Sequence, residues 1–171
     1  SITVLRNYWR QRQGLIASCA QQIHLLHKAL DQMNVQVHKV LSDITGQSGM
    51  RIVRAIVAGE RDREKPASLC HSGIKCTQAQ VARALEGNYR AEHVFALGQA
   101  LEAHDFFQHQ LEAADRALEA QIATVPSRHT EPREDRPQAQ TRAKRRKNQP
   151  HFDLREQLRR IAGVDLTRVE G

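Results

Sequence analysis

LRNYWRQRQGLIASCAQQIHLLHKALDQMNVQVHKVLSDI, residues 5–44, carries one apolar stripe at alternating spacings of three and four: Leu5, Trp9, Arg12, Ile16, Cys19, Ile23, Leu26, Leu30, Met33, Val37, Val40 and Ile44. Arg12 is its only polar member. Pro66 is the first proline, and Gly14 is the only glycine before Gly46, so no strong breaker interrupts the stripe. The spacing predicts one helix of roughly 40 residues, about 60 Å long at ~1.5 Å rise per residue. A seam of that length needs a second helix, from this chain or from another copy.

Working outward, Thr45-Gly46 predicts the end of that helix. Ser48 is placed to cap a short helix carrying Met50, Val53, Ile56 and Val57 and closing at Gly59. Glu60 to Lys65 is nearly all charge and is expected to face water. After a loop through Ser72-Gly73, Thr77 and Gln80 form a capping box for a helix with Val81 and Leu85 that closes at Gly87. A second long helix is predicted from about Tyr89 to Val125, with Val94, Leu97, Leu101, Phe107, Leu111, Ala114, Leu118 and Ile122 on one face.

Charge predicts how the two long helices pair. Residues 1–40 hold five basic side chains against Asp31 alone, whereas residues 89–122 hold two against six acidic ones. Opposite fields on helices with apolar seams favour pairing between them. The expected fold is therefore all-α: a long antiparallel helical coiled coil over residues 1–125 with short helices at its turn. Gln, Ala and His at the flanking heptad positions of the first helix specify oligomer number poorly, so homo-oligomerisation through the same seam is also allowed.

Residues 126–150 contain no large aliphatic side chain and hold eight basic residues against three acidic ones, which predicts a flexible basic linker. Its densest point is Arg142 with Lys144, Arg145, Arg146 and Lys147. Order is expected to resume at His151, with Asp153 capping a helix that bears Leu154, Leu158 and Ile161 and ends at Gly163. Residues 151–171 then read as the beginning of a truncated C-terminal α-helical domain. Position 1 is serine and the stripe is in phase within a few residues, so the chain reads as a piece of a longer protein.

Composition bounds the function. Net charge is +7 and the isoelectric point about 9.8, which points to a polyanion as first partner. Aromatic residues make up 4% and mean hydropathy is −0.61, thin for a globular core but suited to extended helical packing. No apolar run reaches the ~20 residues needed to span a bilayer, so no membrane is expected. Three cysteines without a signal-like segment indicate a reducing compartment.

The words Leu5-Arg-Asn-Tyr-Trp-Arg-Gln-Arg-Gln13, Leu41 through Ser-Asp-Ile-Thr-Gly to Arg-Ala-Ile-Val-Ala-Gly-Glu-Arg-Asp62, Leu85-Glu-Gly-Asn-Tyr-Arg90, Phe152-Asp-Leu-Arg155 and Gly163-Val-Asp-Leu-Thr167 occur in this order. Together they resemble the middle of the DEDD-type bacterial transposases of the insertion-sequence 110 family. The resemblance implies a DNA recombinase with a RuvC-like N-terminal domain, a coiled-coil middle and a C-terminal domain carrying a serine nucleophile. It implies DNA as partner, a structured guide RNA, and a bacterial cytoplasmic location. The family's acidic tetrad, which would hold a divalent metal such as Mg, belongs upstream of Ser1, and its serine belongs downstream of Gly171. No residue here matches either, so no catalytic residue, metal site or cofactor is expected in this segment.

Other candidates are weaker. Cys70 and His71 are adjacent and Cys76 is too far on for ordinary zinc spacing. His24, His27 and His38 lie around the seam of the first helix and read as boundary residues. Asp105 and Asp115 are expected to serve solubility or pairing with the basic helix. Asp43, Glu60 and Asp62 are explained by capping and solvation. Trp9 falls in the seam and is expected in the core. Tyr8 and Arg10 are candidates for stacking on and pairing with nucleic acid, as is the basic cluster at 142–147. The opposing reading is a stand-alone helical adaptor that binds a partner protein.

Overall fold

The computed structural model describes residues 2–70, 76–127 and 148–163. All regular structure among them is helical: α1 (Ile2–Gln32), α2 (Val37–Val40), α3 (Gln47–Val57), α4 (Glu64–Ser68), α5 (Gln78–Ala84), α6 (Ala91–Ala123) and α7 (Leu154–Ala162). The basic cluster of Arg142, Lys144, Arg145, Arg146 and Lys147 lies outside the described residues, as do His71 and residues 164–171. The chain divides into two compact units, Ala17–Gln108 and the combination of Ser1–Ile16 with His109–Gly171. Both long helices contribute to both units.

The first helix is shorter than its stripe predicts. It ends at Gln32 because Asn34 takes a left-handed conformation, φ 57°. The Val35 N–H then donates to the Leu30 carbonyl at 2.9 Å and the Asn34 N–H to the Asp31 carbonyl at 2.9 Å, the paired bonds of a Schellman termination. Asparagine tolerates this conformation better than other non-glycine residues. The contact that accompanies such an ending is in place, since Leu30 and Val35 are both fully buried. Val37 and Val40 therefore belong to the separate helix α2, whose first residues are tied to α5 by the Gln36 N–H bond to the Ala84 carbonyl, 2.8 Å.

A second Schellman ending closes α3, with Gly59 at φ 93° and the Glu60 N–H bonded to the Ala55 carbonyl at 3.0 Å. The closure at Gly59 is as the sequence predicts. The start is not: Gly46 is the N-cap, while Ser48 lies buried inside the first turn. Asp43 accounts for the entry to that turn by accepting the Thr45 N–H at 2.9 Å. The Thr77–Gln80 capping box of α5 forms in both directions, at 2.8 and 3.2 Å. The charged run is exposed except at Glu60, but it runs into a short helix, α4, that buries Pro66 and Ala67.

In the unit of residues 17–108, Leu26, Leu30, Met33, Val35 and Val37 share one core with Ile52, Val53, Ile56, Val81, Leu85, Leu97 and Leu101. The helices α3, α4 and α5 pack in succession, and α2 packs on α5. Each fully buried Leu, Ile or Val contributes about 1.5–3 kcal/mol as an upper estimate. The end of α1 meets the start of α6 where the Asn88 N–H donates to the Met33 carbonyl at 2.8 Å. Gly87 permits this approach, because a Cβ there would overlap the same carbonyl oxygen.

In the other unit the start of α1 meets the end of α6 through Arg12 and Asp115. The buried residues of α6 are Leu97, Ala100, Leu101, His104, Leu111, Asp115, Leu118 and Ile122. Phe107 and Ala114, assigned to the seam from sequence, are only half-buried, and His104 and Asp115 hold buried positions instead. Leu97, His104, Leu111 and Leu118 are spaced by seven, as are Leu101, Asp115 and Ile122 by seven or its double. His104 and Asp115 fill places in this repeat that the apolar residues leave open.

Candidate nucleic-acid interface

Tyr8 and Arg10 both face solvent on α1. Two residues apart on a helix they point to different sides, so they do not form one patch. Arg10 instead lies one turn from Arg6, which is also exposed, and this basic pair is the cationic surface of the first turns. Arg12 does not join it. Its side chain is 1% exposed and its Nε–H donates to Asp115 Oδ1 at 2.5 Å.

Trp9, expected in the core, is 38% exposed. The Arg12 guanidinium carbon lies 5.5 Å from its ring centroid, a cation–π contact that uses one face of the indole. The physical reason is Arg12 itself, since the seam position one turn on is filled by a guanidinium that the ring covers. The outer part of Trp9 stays available beside Arg6 and Arg10.

The Arg12–Asp115 pair is the most buried polar feature of the described residues, and the sequence reading noted both residues without joining them. The signal was present: Arg12 is the one polar residue in the stripe of α1, and Asp115 falls in the seven-residue repeat of α6. Asp105 is also paired with a cation, but with Arg54 of α3 at 2.6 Å rather than with the basic helix. Arg160 of α7 donates to the Ile122 carbonyl at 2.7 Å, in the last turn of α6, and to the Val125 carbonyl at 2.9 Å just beyond it.

His24 lies at the surface and His27 and His38 at boundaries, as expected, although a carboxylate does orient one of them. His38 Nε2 lies 3.3 Å from Asp31 Oδ1, because the ending of α1 turns the chain back toward its own last turn. The rings of His27 and His38 stack at 5.1 Å. Burial lowers the pKa of His27 from its ordinary value, repulsion from His38 and His24 adds to this, and Asp31 and Asp43 oppose it. Burial pushes the Cys70 thiol up, and the neighbouring Cys76 adds to the rise. Cys19 is also raised by burial. Thiols so shifted are poor nucleophiles at neutral pH.

Among the described residues no group of three or more His, Cys, Asp or Glu side chains is placed to hold a metal ion. No helix among them is long and apolar enough to cross a membrane. No protein family, curated protein or solved structure matches this chain.

Proposed function

We propose that this chain is the central segment of a DNA transposase resembling the DEDD-type insertion-sequence 110 family. In this reading α1 and α6 form a coiled coil that spaces, and by self-association pairs, the catalytic halves of a recombinase. The parent's upstream domain would hold the divalent metal and its downstream domain the serine nucleophile, and DNA with a structured guide RNA would be the partners. The observation that carries the reading is the ordered series of family words from Leu5 to Thr167, lying on a chain whose described part is built around two long helices. Exposed Arg6, Tyr8 and Arg10, with the cluster at Arg142, Lys144, Arg145, Arg146 and Lys147, are the proposed nucleic-acid contacts.

The test is binding of the purified chain to duplex DNA and to structured RNA over a salt series. If Lys144 to Lys147 each neutralise one phosphate, the log affinity for duplex falls with log salt at a slope of about −3.6. Replacing those four residues with alanine should remove most of that slope. Absence of binding to either nucleic acid at low salt would overturn the proposal. Recombination or strand cleavage by the chain alone would contradict its assigned lack of catalytic residues.

A stand-alone adaptor that docks on a partner protein is the second reading. Phe95 and Phe106 favour it, being 70% and 57% exposed and three turns apart on one face of α6.

A further inference from the structure

The described segment 148–163 is held to the rest of its unit by apolar and polar groups together. The helix α7 has no fully buried residue, and its apolar face of Leu154, Leu158 and Ile161 is partly buried. Pro150 is the one buried residue of this segment. Beside that apolar contact, a set of hydrogen bonds ties it to the long helices, most of them involving charged side chains. Arg12 Nη2–H donates to the Asn148 carbonyl at 3.0 Å, and the His151 N–H donates to Asp115 Oδ2 at 2.9 Å. Beyond α7's first turns, the Arg160 guanidinium clamps the end of α6, and the Ser127 hydroxyl donates to the Arg160 carbonyl at 3.2 Å.

Arg12 and Asp115 spend one bond on each other and offer another to the backbone of this segment. Both are almost wholly buried, so a donor or acceptor left over on either has no water to turn to. Asn148 meets this need from a left-handed conformation, φ 71°, which asparagine tolerates. A slip of α1 against α6 would part the two charges and also withdraw both backbone partners at once.

From this we infer that the buried Arg12–Asp115 pair is a latch, which couples the register of α1 against α6 to the docking of segment 148–163. The inference stands apart from the recombinase reading and needs no nucleic acid. It makes the segment a sensor of helix register: docked when the two long helices are aligned, released when they slip.

Hydrogen exchange on the full chain tests it, with R12M/D115L as the principal variant. Two apolar side chains of similar volume keep the seam filled while deleting both receptors for the segment. The expected result is unchanged helix content by circular dichroism, with amides of residues 151–162 exchanging about tenfold or more faster and those of residues 17–32 unchanged. Should that variant fail to fold, Arg12→Lys keeps a cation beside Asp115 but gives up the second donor that reaches the Asn148 carbonyl, and a smaller acceleration confined to residues 151–162 is expected. Unaltered protection of residues 151–162 in a folded variant would overturn the latch. So would an equal acceleration from Arg54→Met, which breaks the separate Arg54–Asp105 pair.

Discussion

Arg12 and Asp115 show how one residue pair changes the meaning of a pattern. A buried ion pair is weak evidence for stability, since desolvation offsets much of the Coulomb gain, but a broken one is costly. Asp115→Leu alone should destabilise the chain by about 3–5 kcal/mol in urea denaturation, because it strands the Arg12 guanidinium. R12M/D115L should return to within about 1 kcal/mol of the starting protein or exceed it, a non-additivity that a double-mutant cycle reads directly. His27 supplies a pH dependence of definite sign. Its folded pKa lies below the ordinary 6.5, so the unfolded chain binds more protons as pH falls through that value. Thermal stability should fall with acidification below pH 6.5 and level off below the folded pKa, and His27→Gln should flatten that slope. An unchanged slope in the variant would assign the dependence elsewhere.

At the scale of elements, terminations decide more than propensities do. The stripe of α1 continues in phase through Val37, Val40 and Ile44, yet the helix stops because two hydrogen bonds and the Leu30–Val35 contact reward the turn at Asn34. Asn34→Val should cost about 1–2 kcal/mol, the penalty of a left-handed conformation for such a residue, while Asn34→Gly should be tolerated. Circular dichroism melts of the two variants discriminate this account from one in which the helix merely frays. The capping box of α5 offers a calibrated comparison: Thr77→Ala should cost about 1 kcal/mol in the same melts. Among the described residues, both endings with Schellman bonds, at Asn34 and Gly59, lie in the unit of residues 17–108.

On the scale of the whole molecule, the two units are held by different means. Residues 17–108 share a continuous apolar core, whereas the unit of residues 1–16 and 109–171 buries a charge pair together with Leu111, Leu118 and Ile122. Ile52→Ala should cost about 2–5 kcal/mol and speed hydrogen exchange throughout α3, α4 and α5, as expected for a cavity in a shared core. Self-association through the α1 seam would have to compete with this core, because Leu26, Leu30 and Met33 are already fully buried within the chain. Sedimentation equilibrium of the intact chain measures the outcome of that competition.

The helical class, the two long elements, the α5 capping box, the Gly59 closure and the Asp153-to-Gly163 bounds of α7 were legible from residue order, because each rests on contacts within a few positions of the chain. The pairing of opposite charge between the long helices was legible as a tendency only. Which arginine met which carboxylate, why Trp9 stands partly in solvent, and why His104 and Asp115 are buried while Phe95 and Phe106 are exposed depended on the rotational setting of α1 and α6 in their units. That setting is made by side chains more than a hundred positions apart, as Arg12 and Asp115 are. Local periodicity marks each of the two positions as part of a seam but does not join one to the other. Periodicity and caps thus settle where helices run, whereas burial of a charge is settled only when a distant residue arrives to neutralise it.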